Sequence, residues 1–179
     1  MDSPVTHPPM VLRHLLSIAL LPFLVAVVVP WVLLGGSADA HLTDGSALRL
    51  RVIAGAAVFV WGFAFFAWCV SLFARVGRGT LAPWDPTRHL VVVGPYRYVR
   101  NPMISGVALM LLGEAAFWDS GAVGLWAASF LAINHLYFVL SEEPGLERRF
   151  GQEYRTYKAE VPRWIPRLRP WAGPGRGSS

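Results

Sequence analysis

Cysteine, lysine and charge are all scarce in this chain. Its 179 residues include one cysteine, Cys69, inside an apolar run. No disulfide can form within the chain, and no thiolate cluster can hold a metal. One lysine, Lys158, stands against fifteen arginines. The five histidines are scattered, with no pair at ligand spacing, so no metal site is expected. Charged residues make up 15% of the chain, few for a soluble domain of this size. The Gly-rich strand-turn-helix fingerprint of a dinucleotide-binding domain is missing. The arginines do not cluster on a soluble fold, which argues against a nucleic-acid partner.

What is present is apolar. Hydrophobic residues account for 54% of the chain. They fall in four runs: Met10 to Leu34, Val52 to Ala74, Met103 to Trp118 and Gly121 to Leu140. About 20 residues cross a bilayer. The first two runs reach that length, the third is short, and only Asp119-Ser120 separates it from the fourth. The last two therefore read as a tight helical hairpin. The fold class expected is an all-α integral membrane protein with about four transmembrane helices and a C-terminal amphipathic helix. The bilayer is its first partner.

Loop charge sets the expected orientation. The segment from Arg75 to Arg100 carries five arginines and one aspartate, and the stretch after Leu140 carries eight basic residues. By the positive-inside rule both are cytoplasmic, which places both termini inside. The expected location is multi-pass in a bacterial inner membrane. Ala38-Asp39-Ala40 resembles a signal cleavage site. The apolar stretch before it is too long for a signal core and carries Pro22 and Pro30. Trp31, Trp118, Trp164 and Trp171 fall near span ends or in the tail, where interfacial anchoring explains them.

Beyond the last span, Leu146, Phe150, Tyr154, Tyr157 and Val161 recur at helical spacing with charge on the other face. That is an amphipathic helix lying on the membrane or over the preceding helices. Pro162 and Pro166 stop it. The composition of residues 172–179 predicts a disordered tail.

Two places carry the candidate chemistry. The first is Gly94 to Pro102, a basic, aromatic loop ending in Asn101-Pro102. Asn is favoured as N-cap and Pro at the first helical position. The free N–H groups of this helix start, with Arg97 and Arg100 beside it, suit an anion. The second is Glu142-Glu143, read as the end of the fourth span, where two acids oppose the helix dipole and call for a partner. The bland alternative is a solvated pair with Arg148 or Arg149. Asn134, Phe138 and Glu142, four apart, line one stripe of that helix. His135 beside them reads as hydrogen-bonded structure. Glu114, within the third span, is a candidate by its position in the membrane, with pairing near Trp118 as the plainer account.

Taken together, Gly94-Pro95-Tyr96, Arg100-Asn101-Pro102, Glu142-Glu143, Leu146, Phe150-Gly151-Gln152-Glu153-Tyr154, Tyr157 and Val161-Pro162 resemble the isoprenylcysteine carboxyl methyltransferase family. That superfamily includes the phospholipid methyltransferases and many small bacterial members. The resemblance covers about residues 80–168. It implies an integral-membrane methyltransferase using S-adenosyl-L-methionine on a lipidic or membrane-partitioning acceptor. The domain organisation that follows is two N-terminal transmembrane helices over 1–75, a methyltransferase core over 76–171 and the tail over 172–179. The resemblance implies cofactor contacts from His89, Leu90, Val91, Tyr96, Asn101, Pro102, Ile104 and Glu142. Asn134 and Phe138 are the expected acceptor residues. Arg100 and Glu143 are the expected catalytic pair, with Glu143 the nearest proton acceptor for an amine or thiol.

The chain departs from the family twice. Asn101 stands where the family usually has His, and Phe138 stands where prenylcysteine enzymes place an Arg. The second change points away from a prenylcysteine carboxylate. Two competing readings remain: a membrane reductase related to sterol reductases, which needs a nicotinamide cofactor, and a non-enzymatic membrane adaptor.

Overall fold

The computed structural model describes residues 22–35, 46–77 and 89–173, and they are helical in every regular element. Helix α1 covers Leu24–Leu34, α2 Ser46–Gly77, α3 Pro102–Trp118, α4 Gly121–Tyr137 and α5 Glu143–Glu160. A short 3-10 turn, Gly94–Arg97, precedes α3. The start of the first apolar run, the Ala38–Ala40 site and most of the 172–179 tail lie outside the described residues.

Two helices are long and apolar enough to cross a membrane: Arg49–Phe73 and the continuous stretch Gly121–Glu160. Leu24–Leu34 and Pro102–Trp118 are apolar but shorter. At 1.5 Å per residue α3 is about 26 Å long, under the ~30 Å of a hydrocarbon core. Four full-length spans are thus not what the described residues present.

Glycine sets the main helix pairing. α2 and α3 run antiparallel, with Gly55 and Gly62 of one facing Gly113 and Gly106 of the other. A Cβ at Gly113 would sit 2.6 Å from the Phe59 backbone nitrogen and 2.8 Å from the Gly55 carbonyl. Backbones this close interlock only without side chains, the usual device of helix pairs in lipid. Gly113→Ala should therefore lower stability by about 1–3 kcal/mol, because the blocking atoms are backbone and the helices must separate. Gly124→Ala, whose added Cβ would meet only Ala115 at 3.9 Å, should be neutral or slightly stabilising. Thermal unfolding in detergent compares the two; equal effects would refute the interlock.

The expected hairpin is present. Asp119 turns the chain in the left-handed region (φ 54°), and the Ser120 hydroxyl caps α4 by accepting from the Val123 N–H at 3.3 Å. Arg51, near the start of α2, forms an ion pair with Asp119 and ties α2 to this turn. α1 packs its Ala26 into the core made by Val107, Met110, Leu111, Ala127 and Phe130. Its turn Leu24–Val28 is widened to π geometry ahead of Pro30, and the Val25 carbonyl accepts from the Trp126 indole at 3.0 Å.

α5 is not one straight helix. Gly151 sits at φ 52°, ψ −124°, which breaks it into two arms. The stripe of Tyr154, Tyr157 and Val161 is buried, with Trp171 from the tail and Leu90 and Val92 from the loop before α3. The amphipathic face thus folds over the loop and tail, where its pattern suggests the membrane surface or the preceding helices.

Candidate active site

Glu142 and Glu143 do not end a helix. α4 runs through a single π turn, Phe138–Glu142, straight into α5. The cause is Pro144, which has no N–H for the Leu140 carbonyl. The chain widens by one residue instead of stopping, and the Glu143 N–H reaches back five residues to Phe138. Neither acid therefore faces the dipole of a helix end. The two acids lie at a helix join, and the π turn aims them differently.

Glu143 points inward and is buried, with only 6% of its side chain exposed. One of its oxygens accepts from Arg100 at 2.8 Å and from Arg163 at 2.6 and 2.9 Å. The other faces Lys158 at 3.0 Å, and Lys158 also reaches Glu147 at 2.7 Å. Arg100 donates further to the Tyr154 hydroxyl at 3.4 Å. Burial pushes the Glu143 carboxyl up, but hydrogen bonds from Lys158 and Arg163 and the field of Arg100 outweigh it and hold it below the ordinary range. The expected partners Arg148 and Arg149 are not in this cluster.

Glu142 has the opposite environment. It takes no part in the Glu143 cluster, and burial raises its carboxyl above the ordinary range, offset only in part by Arg149. The neighbouring acids are thus divided: one saturated with cations, the other poorly compensated.

The C-terminal segment straps the loop before α3. The Arg100 N–H donates to the Pro162 carbonyl at 3.0 Å, Arg167 N–H to Tyr98 at 3.0 Å and Trp171 N–H to Arg97 at 2.9 Å. Arg97 Nε donates back to the Trp171 carbonyl at 2.6 Å, and the Tyr157 hydroxyl donates to the Tyr96 carbonyl at 2.6 Å. Arg163 and Trp164 both reach His135 Nδ1, at 3.3 and 3.1 Å. Loop, helix join and tail thus meet at one end of the bundle, opposite the Asp119 turn.

Residues 50–153 match the phospholipid methyltransferase family. The chain belongs to the phospholipid methyltransferase family. The match runs from the start of α2 past the helix join, so the Arg100–Glu143 pair lies inside it and Arg163, Trp164 and Trp171 lie beyond it. A relative from Haemophilus influenzae, described as an uncharacterized protein, is 32% identical over 63 residues, 35% of this chain and all of the relative. No solved structure matches the chain.

The residues expected to form the phospholipid methyltransferase site are distributed as follows. Arg100 and Glu143 are in contact. Asn101 starts α3, but its side chain makes no cap hydrogen bond; its carbonyl takes the Ser105 N–H at 3.2 Å. Pro102 is buried at the first helical position. Tyr96 is buried beside Cys69 and Val91, and its hydroxyl has no hydrogen-bond partner there. Leu90 and Val91 turn to opposite sides, Leu90 toward the Tyr154–Trp171 cluster and Val91 toward Tyr96. Ile104 packs against the core of the bundle, and His89 is exposed. Asn134 spends its amide on the Phe130 carbonyl at 2.8 Å. Phe138 packs edge-on to Trp164, ring centres 6.2 Å apart. Among the described residues no cluster of metal-ligating side chains occurs. A cavity of about 460 Å³ opens between Val76, Leu90, Val93, Arg97, Glu153 and Trp171, and of the expected cofactor residues it holds only Leu90.

Sequence reasoning missed Arg163, Lys158 and Trp164. The one signal for Arg163 and Lys158 was the charge of the tail, read there as orientation rather than as partners for a buried acid, and Trp164 was read as an interfacial anchor.

Proposed function

We propose that this phospholipid methyltransferase family member transfers a methyl group from S-adenosyl-L-methionine to a lipidic or membrane-partitioning acceptor. The observation that carries the reading is the pair of polar side chains next in sequence to Arg100 and Glu143: the uncapped Asn101 amide and the poorly compensated Glu142. These groups suit a ligand with an ammonium, hydroxyls and an aromatic base. When bound, the cofactor supplies an electrophilic methyl on its sulfonium. Glu142 accepts from its polar end, Asn101 and the start of α3 hold its carboxylate, and Phe138 and Asn134 border the acceptor.

Glu143 anchors this site rather than taking a proton. A carboxylate held ionised by Arg100, Arg163 and Lys158 has little affinity for one. Its work is to fix Arg100 beside the α3 start and to tie the tail to the helix join. Binding of S-adenosylhomocysteine by the purified protein, followed by calorimetry, tests the reading; a protein that binds a nicotinamide nucleotide instead, or neither, refutes it.

We place this site on the cytoplasmic face, with α2, the α3–α4 hairpin and α1 in the membrane. The apolar side chains left exposed on the helices, such as Ile53, Val60, Leu125 and Leu140, support that placement. A cysteine at His89 should resist an impermeant reagent added to intact cells and react after permeabilisation. Labelling from outside would reverse the orientation.

A further inference from the structure

The segment from Val161 to Gly173 holds two large apolar side chains out into the open. Ile165 is 79% exposed and Leu168 is 99% exposed. Singly exposed apolar residues are ordinary, but these two are held out by a pinned backbone. Val161 is buried at one end and Trp171 at the other. Between them the Trp164 indole is bonded to His135 and the Arg167 N–H to the Tyr98 carbonyl. Pro162, Pro166 and Pro170 stiffen the chain between these pins. The ordering entropy of the two side chains' backbone is therefore already spent in the folded protein.

The position of the pins names the surface. Trp164 packs against Phe138 and bonds His135 at the end of α4. There α4 and the π turn after it expose their own apolar side chains, Leu136, Val139 and Leu140. Ile165 is the next residue along from Trp164. The charge fits as well: residues 161–173 contain three arginines and no acid. Arg163 is used by Glu143, Arg167 lies 3.8 Å from Glu160, and Arg169 is exposed. Apolar side chains beside an available arginine, at the level where a span ends, are what an anionic membrane surface receives.

We propose that Ile165 and Leu168 insert into the cytoplasmic leaflet of the same membrane, with Arg169 on a lipid phosphate. The tail is then a hook that holds the strapped end of the molecule down on the bilayer. This rests on the membrane placement given above, and the test separates the two.

The experiment uses the full chain in phosphatidylcholine–phosphatidylglycerol vesicles, with one cysteine at a time carrying an environment-sensitive fluorophore. Cys69, fully buried, gives the labelling blank. Leu168→Cys is the probe. Val60→Cys, exposed on α2, reports the membrane itself, and Gln152→Cys, exposed on α5, reports water. The Leu168 probe should be quenched by spin-labelled lipid and shielded from iodide several-fold relative to position 152. Adding Arg169→Glu, or omitting phosphatidylglycerol, should reduce the lipid quenching. Iodide access equal to position 152 overturns the hook. Shielding from iodide without lipid quenching also overturns it and indicates a protein cover, such as a second copy of this chain. If the Val60 probe also escapes lipid quenching, the membrane placement fails and the hook with it.

Discussion

Glu143→Ala should destabilise the protein by about 3–5 kcal/mol, because it removes the acid that three cations share and leaves buried charge uncompensated. The three are not equally stranded. Lys158 keeps Glu147 and is 37% exposed along its side chain, so it turns to water. Arg163 is 18% exposed and keeps His135 within reach. Arg100 is 10% exposed, and its Nε already lacks a partner. The coupling measured by double-mutant cycles should therefore be largest for Glu143 with Arg100 and smallest for Glu143 with Lys158. Thermal or denaturant unfolding in detergent supplies the numbers. A Lys158 coupling as large as that of Arg100 would show that the pair is not the anchor.

The same group gives a pH dependence of definite sign. The folded-state carboxyl of Glu143 is held below its ordinary value, while the unfolded chain titrates near 4.3, the ordinary value for Glu. Its contribution is complete above that pH and is lost as pH falls through the lower folded value. Acidification below about 4.3 should weaken the wild type and leave Glu143→Gln nearly flat through this residue.

What the sequence made legible was local. Asp119-Ser120 between two apolar runs gave the hairpin, and Asn101-Pro102 gave the start of α3, because turns and helix starts are written in adjacent residues. The Glu142–Glu143 join was misread for a local reason too. An apolar run that gives way to an acidic pair looks like a helix end, and a π turn ahead of Pro144 lets the helix continue. The tail was illegible for a different reason. Tyr96 meets Tyr157 across 61 residues and Arg97 meets Trp171 across 74. Neither contact has a period or a motif. The strap is made of hydrogen bonds to backbone carbonyls at uneven spacing, which no side-chain pattern announces. Of the expected site residues, Arg100 and Glu143 meet in a buried ion cluster that no spacing in the sequence announces. Leu90 and Val91, adjacent in the chain, part to opposite sides because the segment is extended there and alternates.

Glu142→Gln should move stability and binding in opposite directions. Burial raises the Glu142 carboxyl, with Arg149 only a partial offset. A group whose folded value lies above its unfolded value weakens the folded state once the pH passes both and the acid must ionise. At neutral pH the amide removes that penalty, so Glu142→Gln should be as stable as the wild type or more so. The wild-type residue is thus a poor choice for the empty protein, and the proposed function gives it a use in binding. On the proposed function, the ammonium or hydroxyls of S-adenosyl-L-methionine would supply donors to Glu142. Losing such a charge-assisted hydrogen bond removes roughly 1.5–3 kcal/mol, about ten- to hundredfold in S-adenosylhomocysteine affinity. Calorimetry and thermal unfolding on the same preparation read both signs. A variant that is more stable and binds more weakly fits a carboxylate kept for its ligand. Equal affinity in a stable Glu142→Gln would show that Glu142 faces no cofactor, whatever Glu143 does beside it.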